Sequence, residues 1–372
     1  MDDSGFASVP SILPHDGRFG SGPTRIRPEQ LASLSRAPLG TSHRAAPVRS
    51  LVGEIRERLG ALLNVLAGYE IVLGNGGATL VWEALTFSLV RERAAHAVCG
   101  EFGGKFAALT ASAPFLADSI IHHAEPGSWV GVSSADDADV LAFAHNETST
   151  GVCSPLDHVG ERDADQLVVV DATSIAGAVE VELDGIDAYY FSPQKALGAD
   201  GGLWFAILSP AAIERISQVR QGRWIPPMLD LGIALENSRK DQTYNTPSVT
   251  NLALIADQLR WIEAEGGLGA IERHCRAMSQ ALYDWADEHP QASPFVASSE
   301  YRSPVVATID LREVDAEAVR AELAERAGIV DIAPYRSLGR NQVRIGTFPS
   351  VALSDVEALI AWLTWALSAL RS

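Results

Sequence analysis

The sequence predicts an α/β fold with a mainly parallel sheet, followed by a smaller α+β unit, and three observations predict it. Short runs rich in β-branched and aromatic residues, Leu167-Val168-Val169-Val170 and Ala188-Tyr189-Tyr190-Phe191 among them, read as strands buried on both faces. Between Tyr69 and Phe191 such runs alternate with helical patterns, the order that builds a parallel sheet with helices on both sides. From Leu268 the alternation gives way to a long helix and scattered short strands. With 372 residues to divide, we expect a lead-in over 1–16, a large domain over 17–265 and a small C-terminal domain over 266–372.

Asp2, Asp3, Pro10 and Pro14 mark the lead-in, which lacks the basic start and apolar block of a secretory signal. Phe19-Gly20-Ser21-Gly22-Pro23-Thr24 is turn-rich, with glycines that permit positive φ or close backbone approach. Gly40-Thr41-Ser42-His43-Arg44 follows a short helical piece; Ser42 is a candidate cap, and His43 with Arg44 offers donors to an anion. Leu51 to Val65 carries apolar residues at helical spacing. Tyr69 to Leu73 reads as a strand, Gly74-Asn75-Gly76-Gly77-Ala78-Thr79 as a glycine loop and Leu80 to Arg91 as a helix. Strand, glycine loop and helix start in that order can cradle a phosphate with backbone N–H groups. The loop has neither the Walker pattern nor the GxGxxG spacing.

Ala95 to Cys99 reads as the next strand, with Phe102 at the opening of the helix after it. Val140 to Ala144 is another, ending in the polar cluster His145-Asn146-Glu147-Thr148-Ser149-Thr150. Leu167 to Ser174 ends in Asp171, and Asp187 to Phe191 leads to Ser192-Pro193-Gln194-Lys195. In open α/β sheets ligands sit beyond the carboxyl ends of strands. Asp171 and Lys195 there either converge on one molecule or pair with each other. Gly202 to Leu208 adds a strand, Pro210 to Val219 a helix, and a loop-rich stretch runs to Tyr244-Asn245-Thr246-Pro247. Thr246 or Ser248 caps a helix running towards Ala264. Beyond it we expect a helix from Leu268 to Glu288, a strand at Val305 to Leu311, a helix at Ala316 to Ala327, strands near Ile329 and Val343, and a closing helix from Leu353 to Leu370. Arg344 lies in the strand-like Gln342-Val343-Arg344-Ile345-Gly346.

A formal charge of −18 argues against a general nucleic-acid or anionic-membrane surface, which needs clustered Lys and Arg. Cys99, Cys153 and Cys275 are far apart and form no CxxC, which disfavours a disulfide framework or a metal site and points to reduced thiols in the cytoplasm. No uninterrupted apolar run reaches membrane-spanning length.

Taken together, the glycine loop, Asp171 and Lys195 resemble the fold-type I pyridoxal phosphate enzymes. Ser21-Gly22-Pro23, Ser42-His43-Arg44, Asn146-Glu147-Thr148, Ser192-Pro193-Gln194-Lys195, Tyr244-Asn245-Thr246-Pro247 and Arg344 resemble, in order, the motif series of the phosphoserine aminotransferase family. Gly74 to Thr79 and Pro334-Tyr335-Arg336-Ser337-Leu338-Gly339-Arg340-Asn341 are similar to its actinobacterial form. The resemblance implies a seven-strand-type sheet and a pyridoxal 5'-phosphate-dependent transaminase. Lys195 would form the Schiff base and then act as acid and base, while Asp171 would pair with the pyridinium nitrogen. Thr148 would bond the cofactor's 3-oxygen, Phe102 would stack on the ring, and Ala78, Thr79 and Gln194 would hold the phosphate. Asn245 and Thr246 would reach that phosphate from a partner subunit, implying a homodimer with shared sites. Arg344 would clamp the substrate carboxylate, and His43, Arg44 and one of Arg336 or Arg340 would complete a phosphate pocket.

The implied reaction moves the amino group of glutamate to 3-phosphohydroxypyruvate, giving O-phosphoserine and 2-oxoglutarate. The alternatives are another small-substrate aminotransferase, of the serine–glyoxylate type or acting on phosphohydroxythreonine in vitamin B6 synthesis, and a non-enzymatic scaffold.

Overall fold

The computed structural model describes residues 8–370, so the start of the lead-in lies outside the described residues. Its strands are β1 Glu70–Asn75, β2 Ala94–Val98, β3 Ile120–His123, β4 Val140–Ala144, β5 Asn146–Glu147, β6 Val152–Cys153, β7 Leu167–Asp171, β8 Ala188–Phe191, β9 Leu203–Leu208, β10 Ala292–Pro294, β11 Val306–Leu311 and β12 Gln342–Gly346. Its α-helices are α1 Pro28–Ser33, α2 Ala46–Leu62, α3 Ala78–Ser88, α4 Glu101–Ser112, α5 Pro210–Gly222, α6 Leu231–Ser238, α7 Val249–Ala264, α8 Leu268–Glu288, α9 Ala316–Ala327 and α10 Leu353–Ala369.

Seven strands form one sheet in the order β1-β9-β8-β7-β4-β2-β3. β9 runs antiparallel to both neighbours, β1 and β8, and the other contacts in the sheet are parallel. Every strand except β9 therefore delivers its carboxyl end to the same edge. The central strands β4, β7 and β8 are almost wholly apolar because each sheet face is covered: Leu141, Val168, Val170 and Phe191 face one core, and Val140, Val169 and Tyr190 face another. An antiparallel three-stranded sheet, β10-β11-β12, packs with α8, α9 and α10 in the C-terminal part.

The segment before α1 is tied to that C-terminal part. Phe19 is fully buried, its N–H donates to Val330 and its carbonyl accepts from Gly346. Arg25, also buried, ion-pairs with Asp355 at 2.8 Å and donates to the Ser350 carbonyl at 3.0 Å. A charge pair taken this far out of water needs such added hydrogen bonds to hold.

Several sequence expectations need correction. Ser42 caps no helix: α2 begins after Ala45 with Pro47 in its first turn, and the Ser42 hydroxyl instead accepts from the Arg44 N–H in a turn. Ser248, not Thr246, caps α7, accepting from the Asn251 N–H. No strand forms at Ile329; Val330 makes only an isolated bridge to Arg18, since the left-handed Gly328 turns the chain directly out of α9. The loop-rich stretch after α5 contains α6, begun by Asp230, whose carboxylate accepts from Gly232 and Ile233. β3, β10 and the short hairpin β5–β6 went unpredicted, being too short or too polar to show a pattern.

Candidate active site

A cavity of about 410 Å³ opens at the carboxyl edge of the large sheet. β7 brings Asp171 to it, paired in register with Ala144 at the end of β4. The turn after β8 brings Lys195. The glycine loop after β1 brings Ala78 and Thr79, the start of α4 brings Phe102, and the turn after β4 brings Asn146 and Thr148. Gln194 lines it as well.

Lys195 is 8% exposed, and its ammonium donates to the Ser21 carbonyl. Burial, with the guanidinium of Arg344 adding to it, lowers its pKa from 10.5 to about 7, against the pull of Asp171 and Glu147. No ion pair joins Lys195 to Asp171 among the described residues, so the acid and the amine face the cavity separately. Asp171 accepts from the Thr173 N–H at 2.9 Å and from the Trp82 indole at 3.2 Å. Burial raises its pKa, a pressure that a cationic partner in the cavity would relieve.

Gly22 is required for this arrangement. Its φ is +127°, and a Cβ there would run into the Lys195 side chain. Gly22→Ala is expected to displace Lys195 and lower turnover at least ~100-fold, as a misplaced reactive group does; steady-state kinetics beside a melting curve separates this from unfolding.

Polar atoms without partners gather at the cavity. On residues that line it, the Asn146 Oδ1, Thr173 Oγ1 and Gln194 Oε1 atoms are buried and lack a well-aligned partner. Buried polar groups are ordinarily satisfied, so this concentration marks a place built for a polar ligand. At the amino end of α3 no side chain caps the helix, which leaves the first N–H groups, at Ala78 and Thr79, to face an anion.

Glu147 braces the next wall. Its carboxylate accepts from the N–H groups of Phe102, Gly103 and Ser149 and from the Ser149 hydroxyl, which fixes the first turn of α4 and with it Phe102. The Phe102 ring meets Tyr335 edge-on at 5.5 Å, and Arg344 lies 5.3 Å over the Tyr335 ring while donating to the Thr148 carbonyl at 3.0 Å. Arg344, expected in a strand, is thus half-buried and turned towards Thr148 from the edge strand β12.

The remaining sequence-predicted residues do not line this cavity. His43, Asn245 and Thr246 cluster at the surface, where the Thr246 hydroxyl lies 3.2 Å from His43 Nδ1, and Arg44 donates to Gln242 at 2.9 Å. Asn75 ties that cluster to the glycine loop by donating to the Thr246 carbonyl at 2.8 Å. Arg340 is held by Asp310 and lies over the Phe295 ring, whereas Arg336 is exposed, near enough to Glu101 to favour its charge but without a side-chain hydrogen bond or ion pair among the described residues. Sequence reasoning missed Trp82, Thr173 and the Ser21 carbonyl. Trp82 could have been found, because it stands four residues after Ala78 and so shares its helix face.

The family model described as aminotransferase class-V matches residues 132–333. A relative from Mycobacterium sp. (strain KMS) is 49% identical over 363 residues, covering 96% of this chain and 98% of its own. One from Rhodococcus opacus (strain B4), named phosphoserine aminotransferase, is 46% identical over 365 residues, 96% of this chain and 97% of its own. The crystal structure of a phosphoserine aminotransferase from Cytophaga hutchinsonii superposes with a TM-score of 0.87 at 23% identity, covering 95% of this chain and 99% of that one. The fold is that of the fold-type I pyridoxal phosphate aminotransferases. The chain belongs to the class-V aminotransferase family. Among the described residues no helix is long and apolar enough to cross a membrane.

Proposed function

We propose that this chain binds pyridoxal phosphate in the Lys195–Asp171 cavity and transfers the amino group of glutamate to 3-phosphohydroxypyruvate. The observation that carries the reading is the separation of a buried amine and a half-buried carboxylate across one cavity lined by residues with unpaired polar atoms. When bound, the cofactor supplies an electron sink for the substrate's α-carbon. Lys195, whose pKa burial lowers to about 7, would supply the amine that holds the cofactor and would move the proton at that carbon. Asp171 would hold the proton on the ring nitrogen, Phe102 would cover the ring, Thr148 would bond its oxygen, and Gln194 with the Ala78 and Thr79 N–H groups, which line the same cavity, would receive the phosphate.

Arg344, rigid over Tyr335, suits the carboxylate shared by both amino-group partners. Arg336 is the better candidate than Arg340 for the substrate phosphate, because Asp310 already occupies Arg340. His43, Arg44, Asn245 and Thr246 serve the partner subunit's site in a homodimer. Exposed Trp224 and Tyr244, 80% and 44% accessible in the single chain, support such an interface.

Purified protein supplied with glutamate and 3-phosphohydroxypyruvate is expected to release 2-oxoglutarate, and Arg44→Ala is expected to raise KM for the phosphorylated ketoacid about tenfold. Cofactor retained without product would sink the substrate assignment. The Lys195 pKa also sets a pH dependence. The amine must be neutral to attack, so the rate at which apoprotein captures pyridoxal phosphate should rise roughly tenfold per pH unit below about pH 7 and level off above it. A stopped-flow absorbance series checks this, and a rise continuing to pH 10 would contradict it.

A further inference from the structure

The grip on Asp171 extends beyond the residues assigned so far, and this inference rests on the reading that its carboxylate meets the cofactor's ring nitrogen. Trp82 is 4% exposed, lines the same cavity as Lys195 and stacks on Phe106 with 6.3 Å between ring centroids. From that fixed position its indole N–H reaches Asp171 Oδ2 at 3.2 Å. Oδ1 is taken by the backbone N–H of Thr173. The Tyr190 hydroxyl and the Thr173 side chain lie beside the same carboxylate and also help to hold its charge, without a well-aligned hydrogen bond. Among the described residues the Trp82 indole makes the aligned side-chain hydrogen bond to Asp171.

We propose that Trp82 is a positioning residue for the transamination: its indole N–H orients the Asp171 carboxylate and weakens that carboxylate's claim on the proton it shares with the ring nitrogen. Two physical arguments lead there. A carboxylate that accepts a further hydrogen bond is less basic, so a shared proton stays on the ring, where it makes the better electron sink. Trp82 also belongs to α3, whose uncapped amino end faces the phosphate site. One rigid helix thus sets the span between the phosphate cradle and the group that meets the ring nitrogen. A Phe at this position would keep the packing on Phe106 and lose both effects of the N–H.

The test uses full-length protein reconstituted with pyridoxal phosphate, comparing wild type, Trp82→Phe and a protein with benzothienylalanine at position 82, an isostere in which sulfur replaces the N–H. Three readouts are taken: cofactor affinity by equilibrium dialysis, the pH midpoint of the bound cofactor's visible band, and the single-turnover rate with glutamate. Removing the donor is expected to weaken cofactor binding about fivefold and slow the glutamate half-reaction about tenfold, with the half-saturating glutamate concentration within about twofold of wild type. The pH midpoint should move upward, because a ring carrying less positive charge releases its other proton less readily. Melting temperatures like that of wild type establish folding, and the isostere keeps the ring's shape where Phe leaves a gap. An unchanged midpoint and rate in the isostere overturns the proposal and leaves the cofactor reading standing. Wild-type protein that takes up no pyridoxal phosphate overturns both.

Discussion

Lys195→Ala is expected to lower turnover by at least ~10⁴-fold, since one substitution removes both the covalent attachment and the acid–base group. The visible band of the bound cofactor should disappear with it. The fold should survive, because the buried amine is a costly group: desolvation already depresses its pKa to about 7. Its departure leaves the Ser21 carbonyl unpaired and a small gap, two losses that offset the relief. A melting temperature near that of wild type, alongside lost turnover and absorbance, is the expected combination. Turnover within tenfold of wild type would remove Lys195 from the chemistry.

Asp171→Ala is the second large effect. It takes away the one carboxylate at the end of β7 and leaves the Trp82 indole and the Thr173 N–H without their acceptor. A charge-assisted hydrogen bond in a cavity shielded from water is worth roughly 3 kcal/mol or more to the ring that it holds. Pyridoxal phosphate affinity should fall on the order of 100-fold and turnover on the order of 1000-fold. Asp171→Asn keeps the shape and removes the charge, so its turnover should lie close to that of the Ala variant if charge carries the effect. Equilibrium dialysis with steady-state rates measures both, and an Asn variant close to wild type would assign Asp171 a packing role.

Much of this site can be read from the sequence, because the strands that carry it are buried on both faces and end in single polar groups. Leu167–Asp171 stands out as apolar residues closed by one acid, and the helices α8 and α9 fall where the periodicity puts them. Failures came where local chemistry offered two answers. Ser42 looks like a cap, but Pro47 in the first turn of α2 marks the start better, and the Ser42 hydroxyl goes to a turn. Ile329 follows a helix and is apolar, yet its neighbour Val330 pairs with the distant segment around Arg18, a contact that no local pattern announces. The Trp82–Asp171 bond joins residues 89 apart in sequence, and an indole in a helix reads first as core. Motif order alone singles out Arg44 and Thr246, whereas their distance from the Lys195 cavity within one chain depends on the tertiary fold.

The tie between the opening segment and the C-terminal part has a temporal meaning. Ser21, whose carbonyl holds the Lys195 amine, sits on a strap fastened by Val330, Gly346, Ser350 and Asp355. The strap precedes its fasteners by more than 300 residues, so a ribosome makes it well before them. While the chain is growing, the sheet and Lys195 emerge with nothing to pin the strap against them. The lysine's surroundings are completed only once those fasteners have been made, so a nascent chain stalled before Val330 carries the lysine without its finished pocket. Residues 330–355 thus act as the seal on a site made mostly of earlier ones.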